Sequence, residues 1–324
     1  MKPEYLIIAA VALDLLFGDP RWLPHPVRLI AAMAVFMEKL TRKLFRSEFL
    51  AGGVTAITVL SVTGGLTFLF IYAARLLHPV AGDVVTVLVL HTTFAARDLA
   101  GHSRMVQKAL EGRNLVLARK KVAMIVGRDT ENLNEADTAR AAVETVAENT
   151  VDGVTAPLFF AVLFGPVGAM VYKAASTLDS TFGYKNEKYI RFGWCPAKFD
   201  DLLNYIPARL TAVCISVASL LTGMSPKNAL RILFRDGRNH PSPNAGLCEA
   251  AMAGAINIQL GGLNCYFGKP SEKPLLGEPG STISPGHIKQ ANTLMFATYF
   301  VCLLLFMGIR LVVLNLFARY GYGY

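Results

Sequence analysis

Apolar positions run along this chain in long stretches, and charged ones gather between them. Gly52 to Leu77 is interrupted only by Arg75 near its end. It exceeds the roughly 20 residues that a helix needs to cross a bilayer. Val80 to Ala96 is shorter and carries Asp83 near its start, and Ala291 to Phe317 is a third strong stretch with Arg310 inside its far end. Met1 to Phe17 contains Asp14, lacks a small-residue cleavage site and is ended by Gly18-Asp19-Pro20. It reads as a retained first helix rather than a signal peptide. Lipid offers no partner to an unbonded backbone group, so the pattern predicts an all-α, polytopic integral membrane helical bundle. With no internal repeat and no low-complexity linker, residues 1–324 are expected to form a single integral membrane domain.

The predicted order begins with the short first helix and a Pro-rich turn, Gly18 to Pro26. An amphipathic basic helix from about Val27 to Arg46 and the two spans follow, then a polar helical section from Arg97 to Asp152. Next comes an apolar segment, Val154 to Val171, expected to be broken by Pro157 and by Gly165-Pro166-Val167-Gly168. A charged loop, Lys173 to Arg209, leads to an apolar helix ending near Met224. A basic turn, a second apolar segment (Leu247 to Leu260), a Gly/Pro-rich loop and the last span complete the chain. A full crossing by Val154–Val171 would put the polar section and the charged loop on opposite faces. A re-entrant or protein-buried segment keeps both on one face, and non-helical backbone is tolerated at membrane depth only under such cover. The expectation is therefore an interrupted or re-entrant segment and a polar site on one face, the cytoplasmic one.

Composition agrees with a membrane chain: charged residues make up 17%, below the roughly 25% of soluble domains. The net charge of +9 fits the preference for basic cytoplasmic loops. Its blocks, such as Lys39, Arg42, Lys43 and Arg46 or Lys227, Arg231, Arg235 and Arg238, also suit attraction of anionic substrates. They are spread over several loops without a nucleic-acid module, so no nucleic-acid partner is expected. Five cysteines without a CxxC pair predict core thiols rather than a disulfide framework or a zinc site.

The charged loop holds Lys173, Asp179, Lys185, Glu187, Lys188, Arg191, Asp200, Asp201, Asn204 and Arg209 between two apolar runs, a composition kept near a bilayer for work. Upstream, Thr138 to Asp152 reads as a helix in which Arg140, Glu144, Glu148 and Asp152 recur every four residues on one face. Glu144, Glu148 and Asp152 there are candidate oxygen ligands for a hard cation, or else a solvated face. Arg128, in Gly127-Arg128-Asp129-Thr130, can clamp a phosphate, while Asp129 or Asn134 can equally be a helix cap. The Pro-rigid turn Arg235 to Gly246 includes His240, Ser242 and Asn244 and opens an apolar segment whose free amides could hold an anion. A second His-Pro pair, His25-Pro26, precedes Arg28. Walker, GxGxxG, GxSxG and HExxH motifs are absent, so any use of ATP requires an unusual site.

The runs LDLLFGDPRWLPHPVRLI, RDTENLNEADTARAAVETVAENTVDGVTAPLFFA, GAMVYKAASTLDSTFGYKNEKYIRFGWCPAKFDDLLNYIPARLTA and DGRNHPSPNAGLCEAAMAGA resemble the cobalamin biosynthesis membrane proteins known as adenosylcobinamide-phosphate synthases. The resemblance extends from the first helix to about Gly262, with Ala175-Ser176 and Cys248 as small departures. It implies an ATP- and magnesium-dependent amide ligase of the cytoplasmic membrane, joining adenosylcobyric acid, a corrinoid, to (R)-1-amino-2-propanol or its O-phosphate. For that chemistry residue type, not the resemblance, makes Lys173, Lys185, Arg128 and Arg209 candidates for phosphate contact, and Glu144, Glu148, Asp152 and Asp179 for magnesium. Asp200 or Asp201 is the candidate base, and Arg28, Asn204, His240, Ser242 and Asn244 complete a substrate and nucleotide set. Partners would be those small molecules, membrane lipid, and a second copy or late cobalamin-assembly enzymes. A related membrane sensor, or a corrinoid-binding or transport protein without ligase chemistry, is the alternative class. The serine and threonine residues after Lys173 further predict that the chain leaves its helix near Thr177 and wraps around an anion.

Overall fold

The computed structural model describes residues 1–19, 25–184 and 186–320, with side chains as far as residue 315. Twelve α-helices and one β-hairpin make up the described chain. Five helical stretches are long and apolar enough to cross a membrane: Glu48–Leu77, Pro79–Glu111, Glu135–Phe182, Trp194–Leu221 and Pro285–Asn315. The chain is thus a helical, multi-pass membrane protein by length and composition, and it falls into two compact units.

The first unit comprises Met1–Ala95, Ala156–Asn204 and Phe306–Tyr324. Its helices are α1 (Pro3–Phe17), α2 (Pro26–Leu44), α3 (Glu48–Leu77), α4 (Pro79–His91) and α8 (Ala156–Phe182). His25 and His78 both begin helices before a proline, each ring Nδ1 accepting from a backbone N–H, of Val27 and Val80 respectively. That is the N-capping role a side-chain acceptor plays for orphan amides. The core joins Ala34 of α2, Ala51, Ala56 and Val59 of α3, and Met170, Leu178 and Phe182 of α8. Small residues let these helices approach closely. Arg42 ties the segment after α8 down, donating to Glu38, Glu48 and the Lys188 carbonyl and lying over the Phe192 ring. Arg310 in the last span is satisfied within the protein by Glu4 and the Val162 carbonyl, as a cation at membrane depth requires.

Two expectations about α8 are corrected. Pro157 does not break the segment, because it stands at the start of α8, where a missing N–H leaves little unbonded. Gly165 does interrupt it, with φ 67° and ψ −159° immediately before Pro166. The chain also does not leave the helix near Thr177: α8 continues to Phe182. Thr177 and Thr181 turn their hydroxyls onto the carbonyls of Lys173 and Thr177, so they are absorbed into the helix. Most of the predicted charged loop is helical, since α9 (Trp194–Leu221) begins soon afterwards.

The second unit comprises Ala96–Thr155 and Tyr205–Leu305. Within it, α5 (Ala96–Glu111), α6 (Leu115–Val122) and α7 (Glu135–Asn149) form the polar section, and α7 runs on through a π-helical turn, Thr150–Thr155. Asn134 caps α7 by accepting from the Asp137 N–H, which settles the capping question in its favour. The expected basic turn is helical, α10 (Pro226–Asp236), followed by a polar turn and α11 (Ala245–Ile256). Its last element, α12 (Pro285–Tyr320), starts here and ends in the first unit.

The expected Gly/Pro-rich loop is instead an antiparallel hairpin, β1 (Gln259–Tyr266) with β2 (Lys269–Gly277). Phe267 and Gly268 both have positive φ, the two-residue turn that matches strand twist. A bulge between Leu260 and Gly262 sets Gly261 and Gly262 at φ 87° and 82°, where a β-carbon would be strained. The five cysteines are all free thiols.

Candidate functional site

A charged cluster collects where α7, α11 and the hairpin meet inside the second unit. Three carboxylates on other elements fix the hairpin around it. Asp129 accepts from the N–H groups of Phe267 and Gly268 at the tip, which holds its pKa below the usual carboxylate range. Asp236 accepts from the Gly277 N–H at the far end, and its pKa is lowered chiefly by Arg235. Glu144 accepts from the Gly261 N–H at the bulge, 2.8 Å away. The bulge explains that contact, because it turns a ladder amide out towards α7.

Glu144 is 2% exposed and its other oxygen pairs with Arg128, which also donates to Asn264 Oδ1. Burial works against the charge on Arg128, but Glu144 more than offsets it and the guanidinium pKa is raised. Arg140 lies alongside, donating to the Leu263 carbonyl and 3.8 Å from Glu144. On β2, Lys273 faces the same carboxylates. Burial again opposes its charge, while Glu249 and Glu148 favour it, and its pKa is raised.

Glu249, on α11, closes the cluster. Burial, opposed by Lys273 and reinforced by Glu144 and Glu148, pushes its pKa up to about 8. His240, in the turn before α11, accepts from the Ser242 N–H at Nδ1, and its Nε2 lies 3.9 Å from Glu249. Burial drives its pKa down to about 4, so the ring is neutral at pH 7.

The predicted site residues divide between the two units. Lys173 and Asp179 lie half-buried on α8, and Arg28 is exposed on α2. On α9, Asn204 accepts from the Tyr172 hydroxyl and donates to Asp200, while Asp201 pairs with Lys198. Lys185 lies outside the described residues. The described ones among these belong to the first unit. In the second, Arg209 donates to the Tyr205 carbonyl and to Asn244, and lies over the Tyr205 ring. The Ser242 hydroxyl accepts from the N–H groups of Asn244 and Ala245. Those amides, expected to be free for an anion, are therefore already occupied.

The acidic stripe is not a uniform face. Glu144 is buried and Glu148 exposed within the regular helix α7, and Asp152 is half-buried in the π-helical turn that follows, where the phase changes. A solvated face does not describe Glu144, whose two oxygens accept from Gly261 and pair with Arg128. Among the described residues no group of three His, Cys, Asp or Glu side chains is arranged to hold a metal ion. The sequence reading missed Glu249, Lys273 and Asn264. Glu249 carried a signal, being the one charged residue in Leu247–Leu260; Lys273, inside an apparent loop, carried none.

Comparison with known proteins places the chain. Cobalamin biosynthesis protein CobD of Leptospira interrogans serovar copenhageni is 50% identical over 289 residues, 89% of this chain and 92% of that one. The CobD protein of Geobacter metallireducens is 51% identical over 274 residues, 85% and 86% of the two chains. Cobalamin biosynthesis protein CbiB of Salmonella typhi is 43% identical over 304 residues, 93% and 95%. No solved structure matches. The family model described as CobD/Cbib protein matches residues 7–295, and with relatives this similar along nearly the whole length, the chain belongs to the CobD/Cbib family.

Proposed function

We propose that this chain acts in cobalamin biosynthesis as an ATP-dependent amide ligase of the cytoplasmic membrane. It joins cobyric acid, a corrinoid carboxylate, to (R)-1-amino-2-propanol or its O-phosphate, with the active face on the cytoplasmic side where ATP is found. The observation that carries the reading is the enclosed set of opposed charges on α7, α11 and the hairpin, in a family whose relatives bear the name of cobalamin biosynthesis. Amide formation from a carboxylate needs an activating group, because an ionised carboxylate resists attack by an amine. Transfer of a phosphoryl group from ATP makes the carboxylate an acyl phosphate. Fixed cations stabilise the charge that develops in such a transfer without reorganising. Arg140, whose Nε has no hydrogen-bond partner among the described residues, suits that role better than Arg128, whose charge is committed to Glu144. Magnesium fits here as the partner of the nucleotide phosphates. Glu148, exposed on α7, and Asp152, half-buried in the π turn, are the carboxylates of the stripe proposed to meet it.

The test is direct. Purified protein in detergent, given ATP, magnesium, cobyric acid and aminopropanol phosphate, should release ADP and form cobinamide phosphate. Product formation that is unchanged without ATP would refute the reading. Movement of a corrinoid across vesicles with no covalent product would favour the transporter class instead.

A further inference from the structure

Helix α11 is enclosed on all sides, with every residue from Gly246 to Ile256 buried. Glu249 is its one ionisable carboxyl and is 1% exposed. Neither carboxylate oxygen has a hydrogen-bond partner among the described residues. His240 Nε2 lies 3.9 Å from Glu249, too far for a hydrogen bond, and likewise lacks a partner. The other ionisable groups facing Glu249 are Lys273 from β2, Glu144 and Glu148 from α7, and Arg128 from the segment before α7. Arg128 is taken by Glu144 and Asn264. An acceptor buried without a donor costs about 1–3 kcal/mol, more if charged, so a chain that only needed to pack α11 would place an apolar residue here. The cluster therefore holds an acceptor without a donor, Glu249, and a half-buried cation, Lys273, whose charge the same carboxylates favour. A small molecule with a primary amine at one end and a phosphate at the other complements both.

We propose that Glu249 binds the primary amine of the nucleophilic substrate and takes up the proton it must lose, while Lys273 holds that substrate's phosphate. This rests on the ligase reading and supplies the base it requires. It also moves that role away from Asp200 and Asp201, which are engaged by Asn204 and Lys198. The amine arrives as an ammonium and pairs with the Glu249 carboxylate, whose own proton has gone to solvent. One N–H proton then passes to Glu249, leaving a neutral amine. Its lone pair attacks the acyl carbon, the C–N bond forms, and the carbon–oxygen bond to phosphate breaks with its electron pair on the phosphate. The second N–H proton leaves with that phosphate, and Glu249 returns its proton to solvent when product departs. A pKa of about 8 suits the exchange, because a base works best when its pKa lies near the working pH.

The test uses the full chain in detergent and the isosteric variant Glu249→Gln, with Glu249→Asp as the conservative rescue. Two reactions are compared: amide formation with aminopropanol phosphate, and hydroxamate formation when hydroxylamine, already neutral at pH 7, traps the activated carboxylate. The expected result is that Glu249→Gln slows amide formation by about a hundred- to ten-thousandfold, the usual size of a general-base contribution, and hydroxamate formation far less. The wild-type dependence of amide formation on a basic group should disappear from the pH profile and partly return in Glu249→Asp. Equal slowing of both reactions in a folded variant, or amide formation within about threefold of wild type, would overturn the proposal. If the wild type makes neither hydroxamate nor ADP, the ligase reading itself fails. Calorimetric titration with aminopropanol phosphate alone then decides the binding role: wild-type binding that Glu249→Gln abolishes supports it, and equal binding overturns it.

Discussion

Replacing Glu144 by Leu removes one side of a buried ion pair and the acceptor of the Gly261 N–H together. Arg128, whose side chain is 6% exposed, would keep its charge with Asn264 as its remaining partner. Breaking a buried pair by deleting one member costs about 3–5 kcal/mol, and an orphaned buried amide about 1–3 kcal/mol. The two overlap, since both reflect loss of the same carboxylate, so about 4 kcal/mol is the working figure. For a chain of this size 1 kcal/mol moves the midpoint by about 2 °C, and thermal unfolding in detergent at a fixed scan rate should drop by about 8 °C. Adding Arg128→Met to Glu144→Leu removes the stranded charge, so the double variant should recover more than half of the loss. A single-variant drop under about 2 °C, or losses that simply add, would refute the reasoning. Glu144→Gln offers an independent check. It should leave the magnesium requirement of the ligase unchanged, and a raised requirement would make Glu144 a metal ligand after all.

Burial raises the Glu249 pKa from the ordinary 4.5 to about 8, so its contribution to stability is complete below pH 4.5 and is lost as pH rises towards 8. The loss is on the order of 4–5 kcal/mol at most. Unfolding midpoints of wild type and Glu249→Gln should therefore diverge across that window, and parallel profiles would show that the carboxyl is not held protonated. Gly165→Ala meets no atom nearby but places a β-carbon at φ 67°. It should cost about 1–3 kcal/mol of backbone strain alone, and an unchanged midpoint would mean that the kink persists without glycine. Asp129→Ala removes the acceptor of two tip amides. Hydrogen exchange at Phe267 and Gly268 should speed up while that of α11 stays slow, and unchanged exchange at the tip would show that the turn holds itself.

Much of the architecture was legible in the residues alone. The spans at Glu48–Leu77 and Pro285–Asn315 could be read because a long apolar run has few physical solutions, and a Gly-Pro pair marked the interruption at Gly165. Ser and Thr near Lys173 misled, because the same hydroxyls that open a turn can bond the preceding helical carbonyl, and Thr177 and Thr181 do. Glycines and prolines hid the hairpin, since positive φ at Gly261 and Gly262 serves a bulge as readily as a loop. The acidic stripe kept its spacing in sequence but not a common burial, since Glu144 is buried and Glu148 exposed within one regular helix and Asp152 lies in the π turn beyond it. Above all, periodicity reports only neighbours along one element. That Glu144 is paired to Arg128 and Gly261, and that Glu249 is left without a hydrogen-bond partner in a cluster that also holds Lys273, follows from the packing of α7 and α11 against the hairpin. Burial there makes each unmatched charge costly, and it is tertiary structure that decides which charges are matched.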